Sequence, residues 1–283
     1  MAAQIISFIN MKGGVGKTTL AVNVAYGLAW NHGKKVLVVD ADPQFNATQY
    51  LLETDVYLAH HDNPSKSTLY EVFRPKTPGA VSTISGTSKG KNKSAMPLSE
   101  CICRIATRQT GFLDLLPSSL KLVEMDYAPR GTERKLSNFL KERTAGYDYV
   151  IIDCPPTVSI FTQSAVLASS KYVVPLKPDP LSVIGLPLLE RWLEDFTETN
   201  GLSIESVGLV FTMVKGVLPN TMRNVMEEIR ENRGETVFEE VLSDSKDVAK
   251  SVEKRRPVFR SAPGSKTAVQ IQKITDEFVT RTS

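Results

Sequence analysis

The chain has 283 residues, of which 41% are hydrophobic and 23% charged, and its formal net charge is +3. This composition agrees with a compact cytosolic protein, and we expect a single α/β domain over residues 1–283. The three cysteines, Cys101, Cys103 and Cys154, form neither a paired disulfide framework nor a four-ligand metal set, and no run of about 18 apolar residues is present to span a membrane.

The first predicted elements surround a glycine-rich loop. Residues 4–10 are an apolar strand, residues 12–19 read KGGVGKTT, and a helical apolar face follows from Leu20. Glycines let successive backbone N–H groups point at one anion, and the helix N-terminus adds partial positive charge. Lys17 is then expected to reach the β- and γ-phosphates and Thr18 to ligate Mg²⁺. The expected nucleotide-binding residues are Lys12, Gly13, Gly14, Val15, Gly16, Lys17, Thr18 and Thr19.

Two further predicted strands each end near aspartates. Residues 35–40 precede the sequence Ala41-Asp42-Pro43, and residues 149–153 end in Asp153. Because ligands of doubly wound sheets lie outside the carboxyl ends of parallel strands, both carboxylates are expected near the phosphates and their metal. One would hold the water shell of Mg²⁺ and the other would orient the attacking water. Each aspartate taken singly is also compatible with a helix cap or turn.

Together these segments resemble a known family. KGGVGKTT, DADPQ and YDYVIIDCPP are similar to the ParA/MinD family of deviant Walker ATPases, and residues 115–118, 174–178 and 181–182 are closer to its ParA branch. The resemblance covers nearly the whole chain. It agrees with the alternation of strands and helices, which predicts a doubly wound, mostly parallel sheet with helices on both faces.

The resemblance also implies roles for individual residues. Lys12 would be the signature lysine that reaches across a homodimer to the partner's nucleotide, and Lys17 and Thr18 would be the phosphate and Mg²⁺ residues. Asp42 would position the hydrolytic water, and Asp153 would be the second-strand carboxylate near the metal. The expected catalytic residues are therefore Lys12, Lys17 and Asp42, and the expected metal residues are Thr18, Asp42 and Asp153.

Lys12 also has a role that follows from charge alone. A second cation at the start of the loop cannot easily curl onto phosphates that its own loop already binds. Pointing outward, it can offset charge on another subunit's γ-phosphate, as an arginine finger does in trans. The alternative is a simple surface charge.

Residues 74–99 contain many turn formers and lysines and little periodic apolar content. We expect a surface loop over residues 75–97, between a helix near residues 68–73 and a helix near residues 98–107. The lysines of this loop are compatible with contact to nucleic acid or a partner, and also with a solvated loop.

A basic segment lies near the C-terminus. Residues 246–266 contain seven Lys or Arg against two acidic residues, and Lys246, Lys250 and Lys254 share one face of a predicted helix that Pro257 would stop. Such a surface can engage the phosphates of any DNA sequence, although an ordinary solvated helix face has the same pattern. The candidate DNA-binding residues, here called the basic segment, are Lys246, Lys250, Lys254, Arg255, Arg256 and Arg260.

The last predicted helix, over residues 269–279, is amphipathic, but its polar face carries Asp276 and Glu277 with one lysine. This favours packing on the protein's own sheet over a membrane surface. The sequence therefore predicts a cytoplasmic, nucleoid-associated ATPase of the ParA type, with ATP and Mg²⁺ as cofactors. It would form a dimer, bind DNA nonspecifically and position a plasmid, chromosome or other large cargo with a ParB-like partner. The alternative is a MinD-like, membrane-associated spatial regulator.

Overall fold

A computed structural model describes residues 2–74 and 96–283. Within these ranges the strands form one seven-stranded sheet in the order β3-β4-β2-β5-β1-β6-β7, which is parallel except for β3. This confirms the predicted doubly wound architecture. The strands are β1 (Gln4–Phe8), β2 (Lys35–Asp40), β3 (Cys103–Arg108), β4 (Gly111–Leu116), β5 (Tyr149–Asp153), β6 (Lys171–Leu176) and β7 (Glu205–Phe211).

Helices cover both faces of the sheet, because the central strands are apolar on both sides. One core contains Leu37, Val39 and Ile152, and the core on the opposite face contains Ile6, Val38 and Ile151. The α-helices are α1 (Lys17–Asn31), α2 (Asn46–Leu51), α3 (Thr54–His61), α4 (Leu69–Phe73), α5 (Leu98–Cys101), α6 (Lys135–Arg143), α7 (Ile160–Ala168), α8 (Pro180–Asn200), α9 (Asn220–Arg233), α10 (Lys246–Glu253), α11 (Val258–Ser261) and α12 (Lys266–Thr282).

The strand register brings three chain segments together at one edge of the sheet. β5 lies between β1 and β2, and Asp153 pairs with Phe8 on one side and with Asp40 on the other. The three strands therefore end side by side. The phosphate loop follows β1, Asp42 follows β2, and Cys154 and the residues after it follow β5.

One predicted element is wrong. The helix expected over residues 98–107 ends at Cys101, and β3 follows as an antiparallel edge strand. Pairing with β4, together with the contact between Arg104 and the buried Asp114, stabilises the extended conformation. The predicted surface loop over residues 75–97 lies outside the described residues up to residue 95; Met96 and Pro97 directly precede α5.

The C-terminal helix packs on the sheet, as predicted. α12 buries Ile271, Ile274 and Phe278, and the Phe278 ring stacks on Phe8 of β1 with centroids 6.2 Å apart. Among the described helices none combines the length and apolar content needed to cross a membrane.

Candidate nucleotide-binding site

The phosphate loop, residues 12–19, turns between β1 and the start of α1. Gly14 and Gly16 have φ values of +69° and +79°, a region that L side chains rarely adopt. Gly16 is also the N-cap of α1, and its carbonyl accepts the N–H of Leu20 at 2.9 Å. The glycines therefore set the curvature of the loop and end it at a helix N-terminus.

The loop borders an open cavity of about 480 Å³. The rest of its lining comes from the segment after β2, from Pro156 after β5 and from one residue of α10. The residues that line the cavity are Gly13, Gly14, Val15, Gly16, Lys17, Thr18, Thr19, Asp42, Gln44, Asn46, Gln49, Tyr50, Pro156 and Val252. The structure therefore brings together the loop predicted from the sequence and Asp42.

Lys17 is buried at the base of the loop, with 7% of its surface exposed. Its Nζ donates a hydrogen bond to the carbonyl oxygen of Lys12 at 3.1 Å. Burial lowers the pKa of Lys17, and the nearby carboxylates of Asp153 and Asp42 oppose this effect. A buried ammonium with one carbonyl acceptor retains donors for an anionic ligand.

Thr18 and Asp153 form a pair suited to a hydrated Mg²⁺. Thr18 Oγ1 donates to Asp153 Oδ2 at 2.7 Å, while the fully buried Oδ1 of Asp153 has no hydrogen-bond partner among the described residues. Burial raises the pKa of Asp153 to about 7, although Thr18 and Lys17 favour its charged form. An orphaned carboxylate oxygen beside a threonine hydroxyl fits a hard cation and its water shell.

Asp42 is held by the turn that follows β2. Its Oδ1 accepts the N–H of Gln44 at 2.9 Å, and its Oδ2 accepts from Asn46 Nδ2 at 3.4 Å. Ser118, two residues after the end of β4, donates its hydroxyl to the Asp42 carbonyl at 2.7 Å. Asp42 thus lies at the cavity wall in a defined orientation.

Sequence reasoning missed the part played by Asp40. Its fully buried carboxylate accepts both the backbone N–H and the hydroxyl of Thr48 at 2.7 Å. Burial, and then the charge of Asp153, raise the pKa of Asp40, while Thr48 opposes the shift. A carboxylate as the last residue of an otherwise apolar strand was the available signal. Asp40 fixes the segment that carries Asp42.

Lys12 lies beside the cavity but is turned towards its own chain. Its backbone N–H donates to Asn10 Oδ1 at 2.9 Å, and its ammonium forms an ion pair with Asp179, the N-cap of α8. Burial acts to raise the pKa of Asp179, but its contacts with Lys12 and Ser182 hold this pKa below its usual value. The reach of Lys12 to a partner subunit stays a prediction.

The basic segment lies on α10, α11 and the turn between them. Its members are exposed except for the half-buried Arg255, which faces Glu53 at 3.6 Å. As predicted, Lys246 and Lys250 belong to one helix, but this helix ends at Glu253, before Pro257. Only Val252 of α10 lines the cavity.

The chain is similar to known proteins over almost its whole length. A family model described as an AAA domain matches residues 3–205. Cell division protein PomZ of Myxococcus xanthus is 30% identical over 277 residues, which cover 97% of this chain and 77% of PomZ. The virulence plasmid ParA family protein pGP5-D of Chlamydia psittaci is 30% identical over 283 residues, covering 97% and 93% of the two chains. The chain belongs to the ParA family of P-loop ATPases.

The fold agrees with this membership in the ParA family. A solved structure from Borrelia burgdorferi B31, named as a candidate plasmid partition protein bound to AMPPNP, has a TM-score of 0.76. The two chains are 22% identical, and the match covers 99% of each. At this identity the likeness concerns the fold alone. As a ParA-family P-loop ATPase, the chain is a nucleotide hydrolase, and the cavity beside its phosphate loop is the candidate site of that reaction.

Proposed function

We propose that this ParA-family chain is a Mg²⁺-dependent ATPase that positions a large DNA-linked or protein cargo in the cytoplasm. In the proposed cycle, ATP closes a homodimer, the dimer binds nucleoid DNA without sequence preference, and a ParB-like or other adaptor stimulates slow hydrolysis and release. Support for the cycle comes from the relatives, which are named for cell division and for a virulence plasmid. The cargo can therefore be a plasmid, a chromosome or another large body.

The hydrolysis step draws on Lys17, Thr18 and Asp42, which line one cavity, and on the buried Asp153. Lys17 donates to the phosphates, Thr18 and Asp153 would hold Mg²⁺ with its water shell, and Asp42 orients the attacking water. Bound Mg²⁺ would offset negative charge on the β- and γ-phosphate oxygens. Asp42 suits the water-orienting role because it lines the cavity with 5% of its surface exposed, whereas Asp153 is fully buried and does not line it.

The dimer is supported by the surroundings of Lys12, and this observation carries the proposal. Lys12 is held by Asp179 at the start of α8, and exposed apolar side chains follow on the same helix. This apolar stripe of α8 consists of Leu181, Ile184 and Leu188, which are 68%, 64% and 60% exposed. An apolar surface beside a cation that can act in trans is what a nucleotide-dependent dimer would cover. Closure would transfer Lys12 from Asp179 to the partner's phosphates.

The MinD-like alternative has less support. Membrane docking by the C-terminal helix needs a free apolar face, whereas α12 uses Ile271, Ile274 and Phe278 in the core. The exposed cations of the basic segment instead favour a polyanion such as DNA.

The test is binding of the full chain to random-sequence duplex DNA with ATP, with ADP and without nucleotide, across a salt series. We expect binding only with ATP and a steep loss of affinity as salt rises, because each phosphate contact releases counterions. Lys17→Ala is the control, since it removes the phosphate-binding ammonium and should abolish the ATP effect.

Two outcomes would contradict the proposal. Equal DNA binding in all three nucleotide conditions would remove the ATP-dependent cycle. Absence of DNA binding, combined with ATP-dependent binding to anionic vesicles, would favour the MinD-like alternative.

A further inference from the structure

A cluster of aromatic rings covers the C-terminal end of α1, about 20 Å along the helix from the phosphate loop. Tyr26 stacks on Trp30 with ring centroids 5.4 Å apart and on Phe259 of α11 at 6.2 Å. Tyr26 is buried, while Trp30 and Phe259 are half-buried. The indole of Trp30 therefore forms part of the protein surface at this end.

Two exposed arginines from distant parts of the sequence meet on this surface. The guanidinium carbons of Arg108 and Arg260 lie 4.9 Å and 5.2 Å from the centre of the Trp30 ring. Arg108 Nη1 also donates to the Trp30 carbonyl at 3.2 Å, and Arg260 Nη1 donates to the Tyr26 hydroxyl at 3.5 Å. We call Trp30, Arg108 and Arg260 the arginine–tryptophan cluster. Cation–π contacts hold its two positive charges together despite their repulsion.

Neither guanidinium has an ion-pair partner within the described residues. In residues 2–74 and 96–283, no carboxylate oxygen lies within the 4.0 Å salt-bridge distance of Arg108 or Arg260. Arg104, on the same strand as Arg108, differs in this respect. It forms an ion pair with the buried Asp114 and lies 4.0 Å above the Phe112 ring.

Arg104 reaches Asp114 and Arg108 does not, because the register of β3 against β4 shifts between them. Arg104 pairs with Asp114 and Arg108 pairs with Gly111, with a register shift after Arg104. Since side chains alternate along a strand, the odd offset on β4 places the two arginines on opposite faces of the sheet. The bulge therefore directs Arg108 towards α1 and Trp30, away from Asp114.

The arginine–tryptophan cluster is continuous with the basic segment. Arg260 belongs to both, and α11 is fixed to α1 by the hydrogen bond from Val258 N to Asn23 Oδ1 at 2.8 Å. α10, which carries Lys246 and Lys250, packs against α11. One cationic surface thus runs from α10 over α11 to the edge strand β3.

We propose that Arg108 and Arg260, held on Trp30, bind phosphates of duplex DNA and extend the DNA-binding surface to the edge strand β3. The proposal rests on the proposed function, since it assigns residues to its DNA-binding step. Each guanidinium donates through Nη1 within the chain, and its other N–H groups remain as donors for a phosphate. Stacking on the indole also leaves it less side-chain freedom to lose on binding. Cations spread over a helix, a turn and a strand match a polymer of regularly spaced phosphates better than one small anion. The contacts position DNA without reading its sequence.

The test compares Arg108→Ala with Arg223→Ala in DNA binding by the full chain with ATP. Arg223 is an exposed arginine of α9, which follows β7 at the sheet edge opposite β3. Replacing it by alanine changes the net charge by the same amount as Arg108→Ala. Loss of one phosphate contact makes the slope of log affinity against log salt less negative by about 0.9, which is about eightfold in affinity at about 0.1 M salt. We expect this loss for Arg108→Ala with any duplex sequence, a smaller loss for Arg108→Lys, and no change in slope for Arg223→Ala.

A second measurement does not depend on a variant of the cluster. The chain has two tryptophans, so Trp192→Phe leaves Trp30 as the single indole. Adding duplex DNA with ATP should change the fluorescence of Trp30, because DNA phosphates would bind the two guanidiniums that lie over the indole ring.

Failure of the proposal is distinguishable from failure of the proposed function. If the unchanged chain binds DNA but Arg108→Ala has the same salt slope and Trp30 fluorescence stays constant, this surface assignment is wrong and the positioning ATPase survives. The assignment is also overturned if Arg108→Ala and Arg223→Ala weaken binding equally, or if Arg108→Ala weakens binding to anionic vesicles and leaves DNA binding intact. If the unchanged chain binds no DNA with ATP, the proposed function itself fails.

Discussion

At the residue scale, Asp42 lies just after β2 and Asp153 ends the neighbouring β5, but the two carboxylates have different surroundings. Asp153 is fully buried and contacts Thr18, whereas Asp42 lines the open cavity and is oriented by Gln44 and Asn46. The buried site of Asp153 suits a metal ligand. The position of Asp42 at the cavity suits a water-orienting group, because a water at the phosphates can reach it.

Asp42→Ala should separate nucleotide binding from hydrolysis. Removal of the water-orienting carboxylate is expected to lower single-turnover ATP hydrolysis by about 10²–10⁴-fold, with ATP binding retained and an ATP-bound dimer accumulating. Rapid-quench hydrolysis and equilibrium ATP titration measure the two steps. Asp55→Ala, an exposed carboxylate of α3, is the matched control. Normal hydrolysis by Asp42→Ala would assign the water to another group.

Lys12→Ala should retain part of the ATP affinity and lose the dimer-dependent step. If Lys12 acts in trans, adaptor-stimulated turnover should fall by about 10³-fold or more, as when other trans-acting cations are removed. Turnover and the dimer fraction with ATP are measured together, with Lys141→Ala on α6 as the control. Unchanged dimerisation and turnover would reduce Lys12 to an intrachain partner of Asp179.

At the element scale, α12 closes the core above β1. Phe278 contacts the rings of both Phe8 and Tyr149, with centroids 6.2 Å and 5.9 Å away. Because β1 leads directly into the phosphate loop, this packing supports the strand from which the loop starts.

Phe278→Ala should lower the free energy of unfolding by about 3–5 kcal/mol, since it leaves a cavity in place of a buried ring. Denaturant unfolding of the full chain measures the loss. Val269→Ala, on an exposed position of the same helix, should change the free energy of unfolding by less than about 0.5 kcal/mol. Equal losses in both variants would indicate that α12 contributes through helix formation and little through burial.

At the scale of the whole molecule, two surfaces have no partner within the described part of the chain. The apolar stripe of α8 lies next to Lys12 and its partner Asp179, and the cationic surface runs from α10 to β3. In the proposed cycle the first surface pairs with a second copy of the chain and the second with DNA.

Ile184→Glu should weaken the ATP-dependent dimer by about tenfold or more, because dimerisation would bury a carboxylate without a partner. Sedimentation in the Asp42→Ala background, where hydrolysis does not empty the site, measures the dimer. Val56→Glu, on the exposed face of α3, is the control. If Ile184→Glu dimerises like the control, the dimer uses another face.

The sequence by itself determined the parallel sheet, the phosphate loop and the aspartates near two strand ends. Apolar strands, glycines at positive φ and the start of a helix are local features, and each leaves its pattern in a short stretch of chain. Pairing decided the rest. β3 was predicted as helix, because residues 103–108 become a strand only when β4 lies beside them.

Only the tertiary structure joined residues that are distant in the chain. Asp179 meets Lys12, Ser118 meets Asp42, and Arg108 meets Trp30. No spacing rule connects such pairs, since the strand order and one bulge in β3 decide which side chains become neighbours. Motifs therefore predicted the chemistry of the candidate site, while packing decided which side chains orient it and which positive charges stay free at the surface.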